Sequence, residues 1–147
     1  MMPKNFNEYL DAGIIKRCSP DSSRARFLIS ESEKSFRGLK ERLVAMIINE
    51  YNANSIVKDC HDIIMELIRA RLLLDGYNSS GQFAHEAEVS YLKILGFSEK
   101  DVSLANELRY FRNSVTYYGK QLTVEYAEKV TEFTERMYLL LKQKVKQ

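Results

Sequence analysis

No proline interrupts the chain between Asp21 and Gln147; the only two, Pro3 and Pro20, lie near its start. Proline breaks helix interiors and punctuates turn-rich β-folds, so so long a tract without one favours long helices. The six glycines are scattered without a repeat, which excludes collagen-like and Pro/Gly-rich disordered chains. At 147 residues and 45% hydrophobic, the chain can bury the core of one compact domain and is too short for two ordinary ones.

Charge and cysteine content narrow the setting. Twenty-two basic residues face 20 acidic ones, a net charge of +2. Tight nonspecific binding to duplex nucleic acid needs a larger surplus, so any anionic partner must be held by a local site. Cys18 and Cys60 lack the close spacing of a zinc or redox motif and are read as reduced thiols. No apolar run reaches the roughly 18 to 20 residues of a membrane span, and Met1 to Tyr9 are polar where a signal peptide is apolar. The expectation is a soluble, cytoplasmic protein with no membrane partner.

The apolar spacing reads as helices throughout. Residues 1–18 form an N-terminal extension with a short helix interrupted by Gly13, and residues 19–147 the bundle. Ser19, Pro20 and Asp21 open a long helix, which Leu28, Phe36, Leu39, Leu43, Met46 and Ile47 carry to about Asn52. Ile56, Cys60, Ile63, Leu67, Ala70 and Leu74 alternate steps of four and three, a bundle-type seam, and Ile64, Ile68, Leu72 and Leu73 widen its arc. This helix is expected at the centre. Asn78 to Gly81 is the most loop-like stretch. A shorter helix spans about Gln82 to Leu95. Another starts at Ser98 with Asp101 three residues on and ends at Gly119; a last one begins near Thr123. No strand-like alternation competes, so the expected fold is an all-α, up-and-down bundle of four main helices plus a short one.

No phosphate-cradling glycine loop, nucleophile elbow or metal-ligand array occurs, so neither a cofactor nor a metal is expected. Cys60 and His61 are adjacent, and neighbours on a helix point about 100° apart, which argues against a thiol–imidazole pair. The informative segment runs from Glu107 to Gly119. At about 100° per residue, Arg112 falls within roughly 40° of Leu108, on the arc of Ala105 and Val115. A guanidinium there must be paired with a carboxylate, snorkel past the helix edge, or face a cleft. Arg109, one turn earlier, either adds charge to that cleft or pairs with an acid such as Glu107 or Asp101.

Arg112-Asn113 near the end of a late helix resembles the signature of the HEPN domain (higher eukaryotes and prokaryotes nucleotide-binding): Arg, often Asn, then His about five positions after the Arg. Tyr117 occupies the place of that His. The segment Ile68 to Gly76 is similar to the family's Ala-rich helix closing on Gly, and His85 sits where many members have a His opening the next short helix. The resemblance covers about Ser22 to Val145. It implies a homodimer whose cleft acts on or binds RNA or nucleotide phosphate, as a toxin-type, metal-independent endoribonuclease. Arg112, Asn113 and Tyr117 then take the catalytic positions, and Arg109, Tyr118 and His85 are candidates for binding substrate.

Tyr117 departs from the pattern, because a phenol with a pKa near 10 is a poor base at neutral pH. Activity is then reduced or altered unless His85, His61 or another group substitutes. Tyr117 and Tyr118 suit stacking on a base or donating to phosphate, and packing at a dimer seam is an equal alternative. In some HEPN toxins a nearby tyrosine is adenylylated, and Tyr118 lies close to that offset. The alternative function is a noncatalytic nucleotide-binding or regulatory subunit that pairs with a minimal nucleotidyltransferase.

Overall fold

The computed structural model describes residues 1–146. In chain order these form α1 (Phe6–Asp11), β1 (Ile15–Arg17), α2 (Ser22–Ala45), α3 (Ala53–Leu74), β2 (Tyr77–Ser79), α4 (Ala84–Ile94), α5 (Glu99–Tyr118) and α6 (Val124–Val145). The protein is an all-α helical bundle with a minor two-stranded sheet, and none of its described helices is long and apolar enough to cross a membrane.

Packing radiates from α3, which touches α2, α4, α5 and α6. Its apolar arc explains this: Ile56, Ile63, Ile64, Leu67, Ile68 and Leu72 are all at most 1% exposed. An arc that wide can be covered only by helices on several sides. The helix starts follow local chemistry. Asp21 accepts from the Arg24 amide at 3.0 Å, Ser98 from that of Asp101 at 3.2 Å and Thr123 from that of Tyr126 at 3.1 Å. Gly119 closes α5 in the left-handed conformation, φ 64°, which glycine adopts without steric penalty.

Three expectations are corrected. The cap of α2 is Asp21, and the helix ends at Ala45, short of Asn52. Met46 is extended, and the Asn49 and Asn52 side chains bond the surrounding backbone into a turn; asparagine competes with helix in this way. The stretch at Asn78 is not simply loop, because Tyr77–Ser79 pairs antiparallel with Ile15–Arg17. Strands of three residues are too short to show alternation, which is why periodicity missed them.

That pairing ties residues 1–18 to the bundle. Phe6, Tyr9 and Ile15 are buried, and the Phe6 ring meets those of Tyr77 and Tyr91 at 5.2 and 4.7 Å. Gly76 makes the junction between α3 and β2. Its φ is 83°, its carbonyl accepts from the Cys18 amide at 2.8 Å, and a Cβ there would lie 2.8 Å from the Cys18 carbonyl oxygen. Gly76→Ala therefore combines left-handed strain with a backbone clash and should destabilise the protein by about 2 kcal/mol or more. Gly81→Ala, with φ 79° but open space around it, should cost about 1 kcal/mol. Denaturant midpoints of the two variants check the order.

Candidate functional site

Arg112 reaches the cleft that its helical position leaves open. It projects from α5 into a depression of about 230 Å³ walled by His61, Asp62, Met65, Glu66 and Arg69 of α3 and by His85 of α4. Five buried side-chain nitrogen or oxygen atoms among the described residues lack a hydrogen-bond partner, and three of them, His61 Nε2, Glu66 Oε1 and Arg112 Nε, belong to residues of this one cleft. Buried polar groups are normally paired, so their concentration here singles out this cleft as the candidate site. A larger groove of about 540 Å³ runs along α2 and α6. None of the unpaired atoms belongs to its lining, and its Glu33 is already held by Lys142 at 2.6 Å.

The rear of the cleft is fixed by Glu88, which is 2% exposed. Its carboxylate accepts from Arg69 Nε and Nη2 at 2.9 and 3.0 Å and from the Ser79 hydroxyl at 2.7 Å. His85 Nδ1 lies 2.9 Å from it. Assigning the proton to Nδ1 makes His85 a donor to Glu88, and its 3.4 Å approach to Arg69 then joins two donors and is no hydrogen bond. Burial alone would raise the Glu88 carboxyl, but His85, Arg69 and Ser79 bring it down to about 2. This network anchors α4 and β2 to α3 and orients Arg69 and His85 at the cleft.

Glu66 is the opposite case. Burial, reinforced by the negative Asp62 and Glu31 and only partly offset by Arg69, pushes its carboxyl up to about 7. His61, 6% exposed, is held neutral: burial lowers its pKa, Asp62 pulls the other way, and Arg112 and His85 lower it further. Its Nδ1 lies 3.0 Å from Asp62 Oδ1. With the proton on Nδ1 and directed at that carboxylate, Nε2 keeps its lone pair. One cleft thus holds a guanidinium, a neutral imidazole and a carboxyl that is half protonated near neutral pH, the elements of acid–base chemistry on a phosphate or similar anion.

The candidate residues divide. Arg112 and His85 share the cleft. Arg109 is engaged elsewhere: Nε donates to Asn106 at 2.9 Å, and Nη2 lies 3.7 Å from Glu86, which also accepts from the Tyr9 hydroxyl at 2.7 Å. Asn113 follows Arg112 on α5 but does not line the cleft. Tyr117 and Tyr118, at the end of α5, are 71% and 85% exposed and do not line it either. Asp62, Glu66 and Arg69 were missed as site residues, and His61 was named only as a group that could substitute for the signature His. A signal existed: Asp62, Glu66 and Arg69 follow at steps of four and three within α3, which places them on one stripe.

Scanned against protein-family models, curated proteins and solved structures, the chain finds no match in any of the three.

The raised Glu66 carboxyl carries a stability consequence. The folded state holds this proton more tightly than the unfolded chain, so the contribution is full below the unfolded value of 4.5 and is lost as pH rises through about 7. Glu66→Gln should therefore be nearly neutral at pH 4 and stabilise the protein at pH 8. The gain is roughly 1 kcal/mol once solvent screening of a partly exposed group is allowed for. Thermal melts at the two pH values test this.

Proposed function

We propose that the Arg112 cleft holds a phosphate of RNA or of a nucleotide, and that the protein is a HEPN-like, RNA-directed bundle acting as a metal-independent endoribonuclease. The observation that carries this is the unpartnered Arg112 Nε beside two histidines. A guanidinium with free donors suits a phosphate oxygen and the extra charge of its transition state. His61 and His85 line the cleft, so Tyr117 in the place of the signature His does not leave it without an imidazole. The net charge of +2 fits a partner held by one or two phosphates.

The test is binding of a short single-stranded RNA, followed by anisotropy with a chelator present. Arg112→Ala should weaken binding at least tenfold. For the wild type, log K should fall with log salt at a slope of about −0.7 to −1.4, as one or two contacts on a single strand require. Equal binding by wild type and Arg112→Ala sinks the reading.

We place the dimer seam along α5. Tyr110 and Tyr117, seven residues apart, fall within about 20° of each other on the helix, and both are exposed, by 50% and 71%. A Tyr110→Glu/Tyr117→Glu double variant should sediment as a monomer where the wild type sediments as a dimer; a wild-type monomer overturns the pairing. The exposure of Tyr117 and Tyr118 also favours a second reading, a noncatalytic nucleotide-binding subunit that offers these phenols to a nucleotidyltransferase partner. Calorimetric heat on adding ATP, with no RNA cleavage, selects that reading; cleavage without such heat removes it.

A further inference from the structure

An endoribonuclease that works without metal needs one group to take a proton from the ribose 2′-hydroxyl and another to give one to the departing 5′-oxygen. The Arg112 cleft carries one group suited to each task, and both are on α3. We infer that His61 Nε2 is the proton acceptor and Glu66 the proton donor, so that the acid–base pair is supplied by α3 and not by the position of Tyr117. The inference rests on the reading of the cleft as an RNA phosphate site and goes on to name the groups that move protons there.

Geometry supports the assignment first. His61 Nε2 and Glu66 Oε1 are both buried without partners, as is Arg112 Nε, and all three residues wall the same cleft. His61 and Glu66 are five residues apart on α3, roughly 7.5 Å along its axis and about 140° around it, and both side chains nevertheless wall the one cleft. From those two positions on the wall, each is assigned a different oxygen of one phosphodiester, and Arg112, projecting from α5, the non-bridging oxygens. His61 is oriented for the part, since its Nδ1 is taken up by Asp62 at 3.0 Å.

Protonation states agree with the roles. The charged and titratable groups facing Glu66 are Asp62 and Arg69 on α3 and Glu31 on α2. Those facing His61 are Asp62, Arg112 on α5 and His85 on α4. Burial with this surrounding keeps the imidazole neutral and the carboxyl protonated until about pH 7, the states that a base and an acid must start from. His85 is likewise held through Nδ1, by Glu88, but its side chain is 55% exposed and offers no buried, unpartnered nitrogen as His61 does.

The step balances as a transesterification. The 2′-oxygen bonds to phosphorus as its proton passes to His61 Nε2. The bond from phosphorus to the 5′-oxygen breaks, that oxygen keeps the electron pair, and Glu66 gives it a proton. The products are a 2′,3′-cyclic phosphate and a 5′-hydroxyl, and exchange with solvent returns His61 to neutral and Glu66 to its protonated form. No oxidant, reductant or metal enters. A free 2′-hydroxyl is required, so the substrate is RNA, and DNA or 2′-O-methyl RNA is bound without being cut.

The experiment compares two substrates, with chelator present: a short single-stranded RNA and uridine 3′-(4-nitrophenyl phosphate), whose leaving group departs without a proton. Glu66→Gln should lose about 10²- to 10⁴-fold in kcat/KM on RNA, together with the alkaline limb of the pH profile near 7, yet stay within tenfold of wild type on the aryl ester. His61→Gln should lose comparably on both. Equal losses by Glu66→Gln on the two substrates, or none on RNA, overturn the inference, and so does a wild type that binds RNA through Arg112 but cleaves neither. If Arg112→Ala binds RNA as well as wild type, the phosphate-site reading itself is lost. Activity of Glu66→Gln on the aryl ester reports its folding, so that arm decides the outcome even where His61→Gln does not fold.

Discussion

The structure depends on the need of α3 to bury apolar side chains around most of its circumference. Helices α2, α4, α5 and α6 all pack against it, and where they meet its charged residues those charges are paired, as Arg69 is with Glu88 of α4. A stretch they leave partly uncovered carries Asp62, Glu66 and Arg69, beside His61. The cleft thus lies beside the hydrophobic packing, and much of its wall belongs to the helix that touches four others. A site on a rigid element keeps its groups in place better than one on loops.

In and behind that cleft, two glutamates of similar intrinsic acidity are driven in opposite directions. Glu88 is the more buried, yet it stays ionised because Arg69, Ser79 and His85 all direct donors at it. Glu66 lacks such partners and faces the negative Asp62 and Glu31, so its proton is retained to about pH 7. Hydrogen-bond donors, and not depth alone, decide which carboxyl can hold its charge. The same logic separates the two arginines of α5: Arg109 is bonded to Asn106 and faces Glu86, while Arg112 keeps a buried donor free.

Much of the fold was legible because it rests on period and local chemistry. The seam from Ile56 to Leu74 announced a central helix, and Ser98, Gly119 and Thr123 marked their helix ends by side-chain capping or left-handed geometry. Less legible were features that arise from pairing across the chain. The union of Ile15–Arg17 with Tyr77–Ser79 involves residues far apart in sequence and too few of them to alternate. The early end of α2 depends on asparagine side chains competing for the backbone, which apolar spacing does not register. Of the site, Arg112 stood out through its place on an apolar arc, whereas the partners that make it chemically useful lie on other helices.

By itself the sequence determined the helical class, the central place of α3 and the conflict posed by a guanidinium on the inner face of α5, since each follows from helical periodicity and the cost of burying charge. Only the tertiary structure decided that this guanidinium shares a cleft with His61, Glu66 and His85, that Arg109 is engaged elsewhere, and that Tyr117 and Tyr118 stand outside the cleft. The physical reason is that a residue's pattern along one helix states which way it points, whereas its neighbours, its hydration and hence its protonation are set by the helices packed against it.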